Sequence, residues 1–151
     1  SPAQAFDTLT RLLKLRLLAS SLVPDGVRVA QVEQALHEAQ RCGYRGLEAS
    51  ALARRARLRA SAGEQDAAVD DARAAVRLAE GRNTDDLTFP DLALHGAAVL
   101  QGAGHAAEAA VLLGSAVDWL ARAAAPLPLP LQSSLRERNP VHRLLLERAR
   151  S

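Results

Sequence analysis

The stretch GEQDAAVDDARAAVRLA, residues 63–79, decides the fold. Gly63 ends whatever precedes it, and Glu64 and Asp66 follow, acids where the positive end of a helix dipole favours them. Val69, Ala72, Val76 and Ala79 then recur at three- and four-residue intervals. That is the stripe of an amphipathic helix, predicted over about Glu64 to Glu80, with Gly81 as its stop. Nothing in the chain shows the two-residue alternation of Val, Ile, Thr and aromatics that a strand needs.

Working upstream, a helix is predicted from about Leu47 to Ala62, ended by Gly63. Before it, Val29, Val32, Leu36 and Ala39 mark a helix from about Val27 to Cys42, with Arg41 in its last turn and Gly43 beyond. A first helix covers Ala3 to Ser21, and Val23-Pro24-Asp25-Gly26 breaks it. Downstream, a polar loop runs from Arg82 to Thr88. Pro90 opens a helix to about Gln101, because the first turn needs no N–H from it. Gly102-Ala103-Gly104 turns the chain into a helix from about Ala106 to Ala124, which carries Val111, Leu112, Ala116, Val117 and Leu120. Pro126, Pro128 and Pro130 end that helix. A short helix is expected over Leu131 to Arg138, and Asn139-Pro140 reads as N-cap and first residue of a last helix to about Arg150. Val141, Leu144, Leu145 and Arg148 give this last helix its apolar face.

The chain has 151 residues, enough for one domain with one continuous core and a poor fit for two. Aromatics are only 3%, so Leu, Val and above all Ala must fill the interior. Alanine favours helix and lets helices approach closely. A single cysteine, Cys42, excludes an internal disulfide framework and fits a reducing cytoplasm. No apolar run nears the roughly 20 residues that span a bilayer, and no signal peptide opens the chain. There is no Met, even at position 1, which suggests a piece of a longer protein. Of 19 basic residues only Lys14 is not Arg, a bias that points to a GC-rich bacterial genome.

The helices recur with a period. Moving residues 69–79 back by about 40 lays Val69, Ala72, Ala75, Val76 and Ala79 on Val29, Val32, Ala35, Leu36 and Ala39. Moving forward by about 41 lays Gly63, Ala68, Ala75 and Val76 on Gly104, Ala109, Ala116 and Val117, and Ala56 on Ala97. In this the chain resembles the tetratricopeptide repeat. The matching positions are Ala56, Gly63, Ala68 and Ala75, and again Ala97, Gly104, Ala109 and Ala116. Small residues are needed where two helices cross closely, and glycine where the turn takes a positive φ. The chain departs from that pattern at Arg59 and Leu100, where the family often has Tyr, and in a period nearer 40 than 34. The tail is similar to the C-terminal end of large bacterial signalling ATPases. It does so in Val111-Leu112-Leu113-Gly114-Ser115-Ala116, in Ala125-Pro126-Leu127-Pro128 and in Arg138-Asn139-Pro140-Val141-His142-Arg143-Leu144-Leu145. In those signalling and transcriptional regulators a helical repeat region follows the ATPase domain.

The resemblance implies one domain over residues 1–151, an all-α, right-handed stack of about three antiparallel helical hairpins. Repeats would cover 3–43, 44–83 and 84–125, and the segment 126–151 would close the stack with a capping helix.

Catalytic chemistry finds little support. His37, His95, His105 and His142 show no i, i+4 metal pair, and one cysteine cannot build a zinc cluster. Gly102-x-Gly104 follows a helix and lacks the Lys and Ser/Thr of a phosphate loop. Trp119 reads as core, packed on the Pro126–Pro130 segment. No catalytic residue, metal or cofactor is expected. Arg54, Arg55, Arg57 and Arg59, with Arg11, Lys14 and Arg16, are the densest basic groups. On a helix Arg55 and Arg59 share one face and Arg54 and Arg57 another, with no stacking aromatics between them, which disfavours nucleic acid. A non-catalytic, cytoplasmic interaction or regulatory module is expected, with a nucleic-acid-binding or small-molecule-sensing domain as the alternatives. Its partner would be a protein with an acidic surface, or other domains of the same chain. Arg16, Arg55, Arg59 and the outward side of Pro90–Gln101 are the expected binding surface.

Overall fold

The computed structural model describes residues 25–80 and 89–150, and these contain seven helices and no strand. They are α1 (Asp25–Cys42), α2 (Arg45–Ser61), α3 (Gln65–Glu80), α4 (Phe89–Gly102), α5 (Ala106–Ala124), α6 (Leu129–Glu137) and α7 (Pro140–Ala149). The helix expected over Ala3–Ser21, and Arg16 with it, lies outside the described residues. So does the loop Arg82–Thr88. None of the described helices is long and apolar enough to cross a membrane.

Each helix packs on the next in sequence. Additional contacts join α2 to α4, α5 to α7 and α4 to α7. Sequential packing of this kind is consistent with a helical-repeat or solenoid arrangement. α4 sits at the centre and is buried nearly all round, from Pro90 to Leu100, as a helix enclosed by four neighbours must be. Of the surface expected there, Pro90–Gln101, Asp91, His95 and Ala98 are half-exposed and Gln101 is exposed, the rest being buried.

Three turns share one geometry. Gly43, Gly63 and Gly104 have φ of 72°, 83° and 88°. In each, the N–H after the glycine bonds the carbonyl five residues back: Tyr44 to Ala39 at 2.9 Å, Glu64 to Arg59 at 2.9 Å, His105 to Leu100 at 2.8 Å. This closure occupies the last carbonyls of one helix and starts the next within two residues. A side chain at any of the three would hold Cβ in the left-handed region. The chain thus enters α2, α3 and α5 by the same device, where the sequence showed it for the last two and read Gly43 only as a stop.

Alanine does most of the close packing. Ala56, Ala68, Ala75, Ala97, Ala109 and Ala116 are all buried. Ala56, Ala68, Ala97, Ala109 and Ala116 share a core cluster with Leu100, Leu112 and, from α7, Leu145. A second cluster joins Ala35 and Leu36 of α1 to Leu52 of α2, Ala75 of α3 and Leu92 of α4.

At the end of the chain one helix starts two residues earlier than expected. α6 begins at Leu129, so that Pro130 lies inside its first turn, where a missing N–H breaks no helical bond. Asn139 caps α7 as expected, its Oδ1 accepting from Val141 N at 3.0 Å and His142 N at 3.3 Å. The buried face of α7 is His142 and Leu145, with Leu144 exposed. Trp119 is buried, its ring 6.3 Å from that of His142. The carbonyl of Leu135 can only accept, so His142 Nδ1, 2.9 Å away, carries the proton of that bond.

Asp91, in the first turn of α4, ties that helix to α2: Arg54 Nη2 donates to Oδ2 at 3.1 Å, and His95 Nε2 lies 3.5 Å from Oδ1. Burial pushes the Asp91 carboxyl up, but the hydrogen bond from His95 and the Arg54 guanidinium outweigh it and hold the group below its ordinary value. A depressed folded value stabilises the fold above the unfolded pKa of about 3.9. That stabilisation is lost as pH falls through the folded value. Urea unfolding of Asp91→Asn should therefore show a flatter dependence of stability on pH below about 4. An acid limb identical to the parent's would assign the loss to other carboxylates.

Candidate functional site

The register that lays Gly63 on Gly104 also relates two clefts. The first, about 560 Å3, lies among α1, α2 and α3; Gln40, Glu48, Leu52, Arg55, Asp70, Asp71, Ala74, Arg77 and Leu78 line it. The second, about 490 Å3, lies among α3, α4 and α5; Arg73, Val76, Arg77, Glu80, Phe89, Leu100, Ala107, Glu108, Val111, Leu112 and Ser115 line it. Forty-one residues on from Glu48, Asp70, Asp71 and Ala74 stand Phe89, Val111, Leu112 and Ser115. The two clefts thus share four positions in this register, one cleft built around an ion cluster and the other with a largely apolar lining.

In the charged version, Asp71 is the hub. It is only 5% exposed on the apolar face of α3. Arg55 grips it with both prongs, Nε to Oδ2 at 2.8 Å and Nη2 to Oδ1 at 2.9 Å, and Arg59 adds Nη1 to Oδ2 at 2.9 Å. Arg55 also reaches Glu33 of α1 at 3.3 Å. The hydrogen bond to Asp71 raises the Arg55 pKa further above its already high value. A buried carboxylate with three charge-assisted donors is satisfied, and its partners are committed. The two arginines expected to meet a partner are therefore engaged with their own chain. Reversing both to Glu would set three carboxylates together, so that double variant is expected to lose stability and not only a binding surface.

In the apolar version, Gly96, Leu100 and Leu112 occupy the positions of Arg55, Arg59 and Asp71. A Cβ on Gly96 would stand 3.1 Å from Leu112 Cδ2, so the glycine makes room for the leucine. Val76, Phe89 and Leu100 continue the apolar lining, and Val111 stands at its edge, 71% exposed. The sequence stripe had placed Val111 inward. The buried face of α5 instead runs through Ala109, Leu112, Ala116 and Leu120, which turns Val111 out. Arg73 and Glu108 join α3 to α5 beside the cleft, Nη2 to Oε1 at 2.7 Å and Nε to Oε2 at 3.2 Å. The hydrogen bond from Arg73 holds Glu108 below the ordinary carboxylate range. Both are exposed, so the pair orients side chains more than it stabilises the fold.

Sequence reading missed Asp71, and a signal was present: an acid on the small-residue face of its helix, with arginines at i and i+4 on the helix before. Phe89 was passed over because the helix was started at Pro90. Among the described residues no group of three or more His, Cys, Asp or Glu could hold a metal ion. No protein-family model, curated protein or solved structure matches the chain.

Proposed function

We infer that the chain is a non-catalytic interaction module, a tetratricopeptide-like stack of helical hairpins that holds an apolar segment of a partner protein in the α3–α4–α5 cleft. The observation that carries this reading is the contrast between two clefts 41 residues apart in register, one filled by an internally satisfied ion cluster and the other lined largely by apolar side chains. Isolated exposed apolar residues mean little, but an apolar cleft with Val111 on its rim is a candidate contact surface. On this reading the module serves a larger regulator of the signalling type, as the similarity of the tail suggests. Nucleic acid is less favoured, since Arg54, Arg55, Arg59 and Arg73 are all paired with carboxylates.

A photo-crosslinking amino acid at Val111, with a control at exposed Arg136, tests the reading in cells of the protein's own host. The expected result is capture of one partner through one peptide segment at Val111 and not at Arg136. Identical products from both positions would sink it. The cleft volume also falls within the range of small-molecule sites. A low-molecular-weight compound that copurifies with the parent and not with Val111→Asp would favour that second reading.

A further inference from the structure

Four arginines stand at or beside the two clefts, and three are committed: Arg55 and Arg59 to Asp71, Arg73 to Glu108. The fourth, Arg77, is exposed, lines both clefts and makes no ion pair among the described residues. It sits in the last turn of α3, where the helix dipole favours a cation. A guanidinium with no carboxylate partner among the described residues thus lies between the largely apolar cleft and the charged one.

We propose that the cleft selects an amphipathic peptide segment with an acidic side chain beside its apolar anchor, the carboxylate pairing with Arg77. This rests on the interaction-module reading above. The apolar anchor replaces water over Val76, Phe89, Leu100 and Leu112, and the apolar area removed drives binding. The carboxylate fixes the register, because a planar guanidinium takes a carboxylate through two parallel bonds. Asp70 and Glu48 repel an acid placed in the charged cleft, and Glu80, three residues beyond Arg77 on the same helix, repels one placed past the end of that helix. Arg77 is the position left where an acid gains. The committed arginines compete poorly for it, since each would have to leave a carboxylate it already holds.

The test is a random 12-residue peptide display library selected on the whole 151-residue chain, with Val111→Asp and Arg77→Glu as parallel targets. The parent should enrich peptides that combine large apolar residues with Asp or Glu. Val111→Asp should lose them. Arg77→Glu should bind them about three- to tenfold more weakly and should enrich Lys- or Arg-bearing peptides in its own selection. Affinity of the parent for its peptides should fall with salt, as an exposed pair requires. Both substituted side chains are exposed, so far-UV circular dichroism should not change.

The failures separate cleanly. Peptides that depend on Val111 but carry no acid, or that bind Arg77→Glu as well as the parent, overturn the acidic-segment proposal and leave the cleft as a docking site. Peptides indifferent to Val111→Asp, or no enrichment at all, overturn both. Self-association of the parent that Val111→Asp abolishes would place a second copy in the cleft and overturn the proposal as well.

Discussion

Asp71→Ala is expected to lower the unfolding free energy by about 2–3 kcal/mol. The substitution removes one carboxylate and leaves two guanidiniums, Arg55 and Arg59, facing a niche built for the missing charge. Breaking a buried pair costs about 3–5 kcal/mol when the orphaned charge cannot reach water. Here the arginine side chains are 19% and 31% exposed, so part of that penalty is relieved by solvent. The repeat supplies the control. Arg55→Gly, Arg59→Leu and Asp71→Leu together copy the apolar triad Gly96, Leu100 and Leu112 from the next niche. Replacing a buried ion cluster by packed apolar groups is commonly neutral or stabilising, and the new helical glycine costs about 1 kcal/mol. The triple variant should therefore be more stable than the single one. Urea unfolding with an unchanged m-value measures both. A triple variant less stable than Asp71→Ala would show that the two niches are not structurally interchangeable. The three sites touch, so the single effects will not add.

Leu145→Ala is expected to cost about 3 kcal/mol, against less than about 0.5 kcal/mol for Leu144→Ala. The residues are neighbours of identical chemistry. Leu145 is 0% exposed and joins the core cluster of Ala97, Leu100 and Ala116, whereas Leu144 is 40% exposed. Through Leu145 the last helix closes the core over α4 and α5, and α7 contacts both. The contrast measures whether α7 belongs to the cooperative unit. Equal, small effects in thermal or urea unfolding would mean that α7 detaches before the rest unfolds. His142, buried between Trp119 and the carbonyl of Leu135, reinforces the expectation, because an undocked α7 would break that bond as well.

Most element boundaries were legible because their causes are local. Gly63 and Gly104 each stand in the turn between two helices, and the left-handed conformation they take there is a backbone property. Asn139 caps α7 through atoms two and three residues away. Pro130 misled by two residues because proline both ends helices and begins them, and only the path of the chain chooses. The candidate site was less legible. A helical stripe is about 100° wide, so period alone could not say whether Val111 or Ala109 lies on the inner side of α5. Arg55 and Arg59 read as a basic surface because their partner Asp71 is 16 and 12 residues away on another helix.

By itself, then, the sequence determined the all-helical character of the described residues, their punctuation by glycine and proline, and the alanines that let helices cross closely. Each follows from what one residue does to its own backbone or to the next turn. The tertiary structure alone decided that one cleft is built around the Asp71 ion cluster while the one 41 residues on is lined largely by apolar side chains. It also decided that Arg77 is left without a carboxylate among the described residues. Those outcomes depend on which side chains three different helices bring together, a property of packing that no single helix carries.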